Sequence, residues 1–548
     1  AYKAAALAVT SYSDCVKEAD QEPSFFSAGE QGRWYIKYAD YLYRHGLLDQ
    51  ESVSPNQKTA EGRLTYGEAE LLLEAMAKEL EINDTFSQLH FRPSAKKQEK
   101  TVPEKTWWEA YETLIAGAEK SEVEFVPLLI YGTPENIRGG RSWTAYTDQG
   151  EFGFEGLVMD IYIDREIQVC KRGNEIIRVV EEISSEVVYK NAWIASVDES
   201  DKTFTGYVGG VKREFDTKKK LGDGTGFEDQ VADLHLRSGK VEKIVLKEER
   251  INGKILAVKE NSIEVEGYGA VPMDEKFQVY RLYGEFASRT INDLLVGYDA
   301  LEFAVADGKL CAALLKHPFD ADSIRVLIMD DGFQTVFHDQ IQLEFLSNGT
   351  YRTGEKAYEF AEGDTLKVTM DSSLFQNGRV IFEPEDQEKG IRVISMNRSY
   401  GNPVYSGRLE ISREDGGLVL VNELYLEDYL KHVVPSEMPV SYEKEALKAQ
   451  AVCARTYAYR QIQGNSYKEY GAHVDDSTRF QVYNNLETSQ ASDAAVTETY
   501  GKILMYQNSP AEAFYFSTSC GHTTDGTIWG ASLSSVPYLK GVAVRPGG

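Results

Sequence analysis

The sequence predicts a multidomain protein: a helical N-terminal module, a mainly-β middle region of small repeated barrels or rolls, and an α+β C-terminal domain. Three observations predict it. The chain has 548 residues, enough for three or four domains at roughly 150 residues each. Its apolar spacing is helical up to about residue 120 and then changes to a period of two. Helical spacing returns near residue 425, after a further series of strands. The boundaries read as 1–120, 121–320 and 321–548.

Within the first module, Trp34, Tyr38, Tyr41, Leu42 and Leu47 follow a 3.6-residue period, and Gly46 suits the position just past a helix end. A polar loop follows, Asp49 to Gly62. Thr65 precedes Glu68 by three positions, a capping-box spacing that opens a helix over Tyr66–Leu80. This layout, with a second start at Lys105–Ala110, resembles a degenerate surface-layer homology repeat; an ordinary helical bundle fits the same residues. The resemblance implies anchoring to cell-wall polymers. Residues 90–104, with Pro93, Pro103 and three lysines, read as a polar connector.

The middle region alternates short Val, Ile and Tyr runs with Gly, Asp and Asn turns. Asn191–Glu199 and Gly206-Tyr207 recur 61 positions later as Asn252–Glu260 and Gly267-Tyr268, which predicts two small β units side by side. The Gly-rich run Leu221–Gly226 lacks a following Lys-Ser/Thr and reads as a plain loop. From Ile324 the strands continue: Ile324–Met329, Ile341–Phe345, Leu366–Met370, Ile391–Ser395 and Leu418–Asn422.

Then Leu426, Tyr429, Leu430 and Val433 take helical spacing, and Pro435 reads as the stop. Ser441 reads as the N-cap of a second helix whose apolar stripe is Leu447, Ala451, Ala454 and Ala458. Glu437 therefore falls on a short, stiff loop between two buried helices. A partly desolvated carboxylate there gains a raised pKa and suits general acid work; a solvated Glu is the plainer alternative.

Composition limits the function. With 59 Lys+Arg against 87 Asp+Glu, the net charge is −28, which argues against nucleic acid as a partner and leaves neutral polymers such as glycans open. The apolar stretches fall short of the ~18–20 residues of a membrane span. Five cysteines stand singly, with no CxxC pair, so neither a disulfide framework nor a Cys-rich zinc site is readable. The chain starts at Ala1 with no leader pattern, which reads either as a cytoplasmic fragment or as a chain whose targeting segment has been removed, and Val544–Gly548 carries no terminal-helix pattern and reads as an arbitrary stop.

An ordered series of motifs then carries a specific resemblance. VVPSEMP (Val433–Pro439), EALKAQAVCARTYAYR (Glu445–Arg460), DDSTRFQVY (Asp475–Tyr483), AVTETYGKILMY (Ala495–Tyr506), AEAFYFSTSCGHT (Ala511–Thr523) and VPYLKGV (Val536–Val542) resemble the stage II sporulation protein D family, which includes the amidase enhancers. The resemblance implies a peptidoglycan lytic transglycosylase that cleaves between N-acetylmuramic acid and N-acetylglucosamine and leaves a 1,6-anhydromuramoyl end. It implies Glu437 as the single acid/base and an extracytoplasmic, cell-wall location in a Gram-positive-type cell. A cell-wall amidase is the implied partner. The alternative within the family is a non-catalytic amidase enhancer or glycan-binding adaptor.

The resemblance also nominates substrate contacts. Gln450, Arg455 and Tyr457 lie on the second helix. Arg455 either orients sugar or braces Asp475 or Asp476. Asp475 and Asp476 orient substrate or structure, or serve a hydrolase variant; Gln481 and Tyr483 suit hydroxyl bonding and ring stacking. Ser517, Ser519 and Thr523 line the cleft, or bond the local backbone. Some relatives hold zinc with His and Cys near DDSTRFQVY, where this chain has Asp475 and Phe480. Cys453, His473, Cys520 and His522 are the remaining candidates, but nothing in their spacing requires a metal, so no cofactor is expected.

Overall fold

The computed structural model describes residues 1–26, 32–48, 63–89, 91, 94–198, 202–219, 226–299, 301–354, 356–398, 400–483, 488–516, 518–532 and 534–544. The loop Asp49–Gly62 and most of Leu221–Gly226 lie outside them. The contacts divide the chain into two compact units, Ala1–Leu246 and Lys247–Gly548.

The first unit opens with helices α1 (Tyr2–Val9), α2 (Tyr12–Gln21), α3 (Ile36–Arg44), α4 (Tyr66–Glu79), α5 (Asn83–Gln88) and α6 (Glu104–Ala116). α4 begins at the expected capping box: the Thr65 hydroxyl accepts from Glu68 N, and the Glu68 carboxylate accepts from Thr65 N. Gly46 ends α3 in the left-handed region at φ +70°. Residues 98–102 are not a free connector. Gln98 and Lys100 carbonyls accept from Gly67 and Tyr66, and Val102 N donates to Leu64, so the segment is pinned beside the start of α4.

Two closed five-stranded barrels follow, over residues 123–184 and 186–246. The Asp164 carboxylate, buried between them, takes a forked bond from Arg213 at 2.8 and 2.7 Å and the Tyr189 hydroxyl at 2.6 Å. The 61-residue repeat does not mark these barrels. Its first copy falls on the antiparallel strands Glu186–Asp198 and Thr203–Val208 of the second barrel; its second falls on the shorter antiparallel pair Ile255–Val258 and Ser262–Val265 in an open sheet. The repeat encodes an antiparallel strand pair, whereas closure depends on other strands.

The second unit contains that open, mixed seven-stranded sheet over residues 249–315 and a C-terminal α+β region. The region's main sheet runs in the order Lys356–Phe360, Gly349–Thr353, Val380–Pro384, Arg408–Glu414, Gly417–Tyr425, Ser323–Ile328, Val474–Asp475. A four-stranded sheet shares its core. Buried charges join the two parts of this unit. Arg325 and Arg379 meet Glu410; Arg325 and Lys254 meet Glu423; Arg379 meets Glu264. Leaving one of these charges without its partner would cost several kcal/mol, so the network specifies how the parts fit.

Three further helices, α7 (Leu426–Glu437), α8 (Lys444–Gly464) and α9 (Gln490–Glu498), cover the main sheet. Leu447, Ala451, Ala454 and Ala458 are buried as one stripe of α8. Two sequence expectations change here. Pro435 does not stop α7 but sits in its last turn, because Met438 N still reaches the Val434 carbonyl and the Ser436 hydroxyl reaches the His432 carbonyl. α8 starts two residues later than Ser441 suggests, since a Pro439–Tyr442 turn intervenes and Glu443 takes the cap position.

Candidate functional site

The end of α7 puts Glu437 at a helix C-terminus rather than on a loop. Its backbone is thus fixed by the helix, and its side chain is half-buried. Glu437 Oε1 accepts the Val482 N–H at 2.8 Å, and the carboxyl accepts a second bond from the Tyr515 hydroxyl. Burial pushes its pKa above the usual glutamate value, against the pull of these two hydrogen bonds. The negative end of the α7 dipole acts in the same direction as burial.

Residues 475–483 form the brace that presents Val482. Asp475 accepts the Tyr467 hydroxyl at 2.8 Å and the Ser477 amide at 2.8 Å. Asp476 accepts Met329 N at 3.0 Å and Arg398 at 2.7 Å, and burial lifts its carboxyl to about 7. Gln481 donates to the Ala454 carbonyl, and the Tyr483 hydroxyl donates to Asn422 at 3.0 Å. All four side chains are at most 1% exposed. The expectation that they orient, bond or stack sugar therefore gives way: their polar atoms are engaged inside the protein, and they position the loop.

Arg455 is likewise internal, at 1% exposure. It forks onto Glu427 of α7 at 2.7 and 2.8 Å and reaches the Val496 and Lys502 carbonyls. It is a brace, but its partner is Glu427 rather than Asp475 or Asp476. Of the other α8 candidates, Tyr457 is half-buried, and burial, with the charges of Asp475, Glu512 and Glu437, raises its pKa. Gln450 lies seven residues earlier, two turns along the same face. Its Nε2 is a buried donor without a partner.

From the segment 511–544, Ser517 lies outside the described residues. Ser519 is half-buried, and the Thr523 hydroxyl accepts Val542 N at 2.8 Å, a local backbone bond. Sequence reasoning missed Tyr515, which this segment brings to Glu437. Arg460 of α8 holds the base of the segment through the Pro510 carbonyl and Glu512. Phe514 and Phe516 are exposed while Tyr515 between them is not, a difference the uniformly aromatic run Phe-Tyr-Phe does not show in the sequence.

The zinc candidates do not gather. Both His473 nitrogens are committed: Nδ1 accepts Arg325 N, and Nε2–H donates to Val296. Burial lowers its pKa to about 3. Cys453 is half-buried on α8; Cys520 and His522 are exposed. Among the described residues, no group of three or more His, Cys, Asp or Glu is arranged to hold a metal, and no helix is long and apolar enough to cross a membrane.

Residues 414–506 match the family model described as stage II sporulation protein. That stretch contains Glu437, α8 and the 475–483 brace. The stage II sporulation protein D of Bacillus amyloliquefaciens is 43% identical over 136 residues, 22% of this chain and 39% of the relative. Its counterpart in Bacillus subtilis (strain 168) is 42% identical over 137 residues, with the same shares. The amidase enhancer of Bacillus subtilis (strain 168) is 43% identical over 111 residues, 20% of this chain and 14% of the relative. The resemblance read from the motifs is thus met by the family model and by both kinds of relative. The chain spans 39% of the length of the two sporulation proteins.

Proposed function

We propose that the C-terminal region is a peptidoglycan lytic transglycosylase that cleaves MurNAc–GlcNAc linkages with Glu437 as its one acid/base. The observation that carries this reading is Glu437 itself: a half-buried carboxyl with a raised pKa, held by Val482 N–H and the Tyr515 hydroxyl. A carboxyl of that kind stays protonated to higher pH and can deliver its proton to a glycosidic oxygen. As that C1–O bond breaks, the proton goes to the leaving oxygen. Glu437, now a carboxylate, takes the proton from the sugar's own 6-hydroxyl, whose oxygen bonds C1. The products are a new hydroxyl and a 1,6-anhydro end, and the carboxyl is protonated again.

The usual glycoside hydrolase works with a second carboxylate. Asp475 and Asp476 are buried and engaged elsewhere, which favours the one-carboxyl reaction. The unpartnered Gln450 amide and half-buried Tyr457 are the proposed sugar contacts on α8.

The name of the amidase enhancer supports a link to a cell-wall amidase; glycan strands as substrate and an extracytoplasmic location belong to the same proposal. The helical module and barrels then serve as anchor or spacer. The likeness to an amidase enhancer favours one second reading, a glycan-binding adaptor that does not cleave. Mass spectrometry of intact and amidase-stripped peptidoglycan, incubated with the protein and with Glu437→Gln, separates the two. Anhydromuramoyl products that vanish in the variant are expected. Reducing ends would replace the mechanism with hydrolysis, and binding without product would replace the enzyme with the adaptor.

A further inference from the structure

We propose that Tyr515 is the positioning residue for Glu437, supported by Gln481 and Tyr429 in one directed chain of hydrogen bonds; this rests on Glu437 being the working acid/base. The direction of the chain follows from the chemistry of its members. The Ala454 carbonyl can only accept, so the Gln481 group 3.2 Å from it is the amide nitrogen. That nitrogen also donates to the Tyr515 hydroxyl oxygen at 3.0 Å, while Gln481 Oε1 accepts from the Tyr429 hydroxyl at 3.3 Å. With its oxygen already accepting, Tyr515 has its proton free for Glu437. Every link therefore points toward the carboxyl, and each bond polarises the next.

The surroundings give this bond its weight. The Val482 N–H and the Tyr515 hydroxyl bond Glu437, its charge adds to burial in raising the pKa of Tyr429 and Tyr457, and among the described residues no ion pair reaches it. The two hydrogen bonds thus oppose the effect of burial. Tyr515 does not itself trade protons, because burial and the adjoining carboxyl raise its pKa well above that of a free phenol. It holds the carboxyl in place and favours its ionised form, so that one group can first give a proton and then take one.

The test uses the full chain, Tyr515→Phe and Gln481→Met. A water-soluble diazo compound esterifies only a protonated carboxyl. Its labelling of the peptide that contains Glu437 is read by mass spectrometry across pH, with Glu437→Gln as the blank. Loss of one bond to the carboxylate should raise the labelling midpoint by about one pH unit in Tyr515→Phe, and by less in Gln481→Met. In glycan cleavage, the alkaline limb should move up by the same amount, kcat should fall and KM should hold. An unmoved midpoint in a variant with wild-type circular dichroism overturns the role of Tyr515 and leaves the cleavage reading intact. A moved midpoint in a protein that never cleaves supports the hydrogen-bond chain and refutes the cleavage reading.

Discussion

Arg455→Ala should unfold the C-terminal region well before it alters any sugar contact. The guanidinium makes two bonds to Glu427, at 2.7 and 2.8 Å, and caps the carbonyls of Val496 and Lys502 at 3.2 and 3.1 Å. It thereby ties α7, α8 and the end of α9. Removing one partner of a buried pair costs about 3–5 kcal/mol. Glu427 keeps a fifth of its side chain exposed and a bond from Gly501 N, which argues for about 3 kcal/mol, the lower end. At about 2–4 °C per kcal/mol, the melting transition of the second unit should drop by about 6–12 °C, nearer the lower figure for a unit of this size. Calorimetry gives the drop, and hydrogen exchange should show faster exchange in Gln490–Glu498. Arg455→Lys keeps the charge but not the fork, so it should recover less than half of the loss. The brace reading is refuted if Arg455→Ala melts within about 1 °C of the parent while glycan cleavage is lost, which would put the guanidinium on the substrate.

Glu437→Gln should lower kcat by about 10²–10⁴-fold with glycan binding retained, as read by product mass spectrometry and co-sedimentation. Because a general acid works in its protonated form, cleavage should fall as pH rises through the Glu437 pKa. The raised value puts that limb above the ordinary glutamate range, and a pH profile of kcat/KM checks it. Gln450→Leu removes a donor that has no internal partner, so melting should change little while KM for glycan rises about tenfold, the worth of one hydrogen bond. Gly471→Ala should destabilise the second unit by about 2 kcal/mol or more. The new methyl would meet the Leu256 carbonyl at 1.9 Å, and the residue sits at φ +84°; denaturant melts read the loss.

Local order was legible in the sequence wherever the physics is local. The Thr65–Glu68 box, the Leu447–Ala458 stripe and the change of period near residue 121 depend on neighbours a few positions apart, and they appear where the sequence expects them. The ordered motifs also singled out Glu437 and the family it points to. The tertiary structure decided the rest, because side-chain partners here lie far apart in the chain. Arg455 could have met several acids, and the packing of α7 on α8 selects Glu427, 28 residues away. Pro435 reads locally as a stop, yet the bonds of Ser436 and Met438 carry α7 on to Glu437. Asp475, Asp476, Gln481 and Tyr483 look like polar groups for sugar until the core closes over them. Tyr515 meets Glu437 from a segment 78 residues further along, held at its base by Arg460. A sequence records which groups are available; burial and the paths of distant segments determine which are spent on the fold and which remain for chemistry.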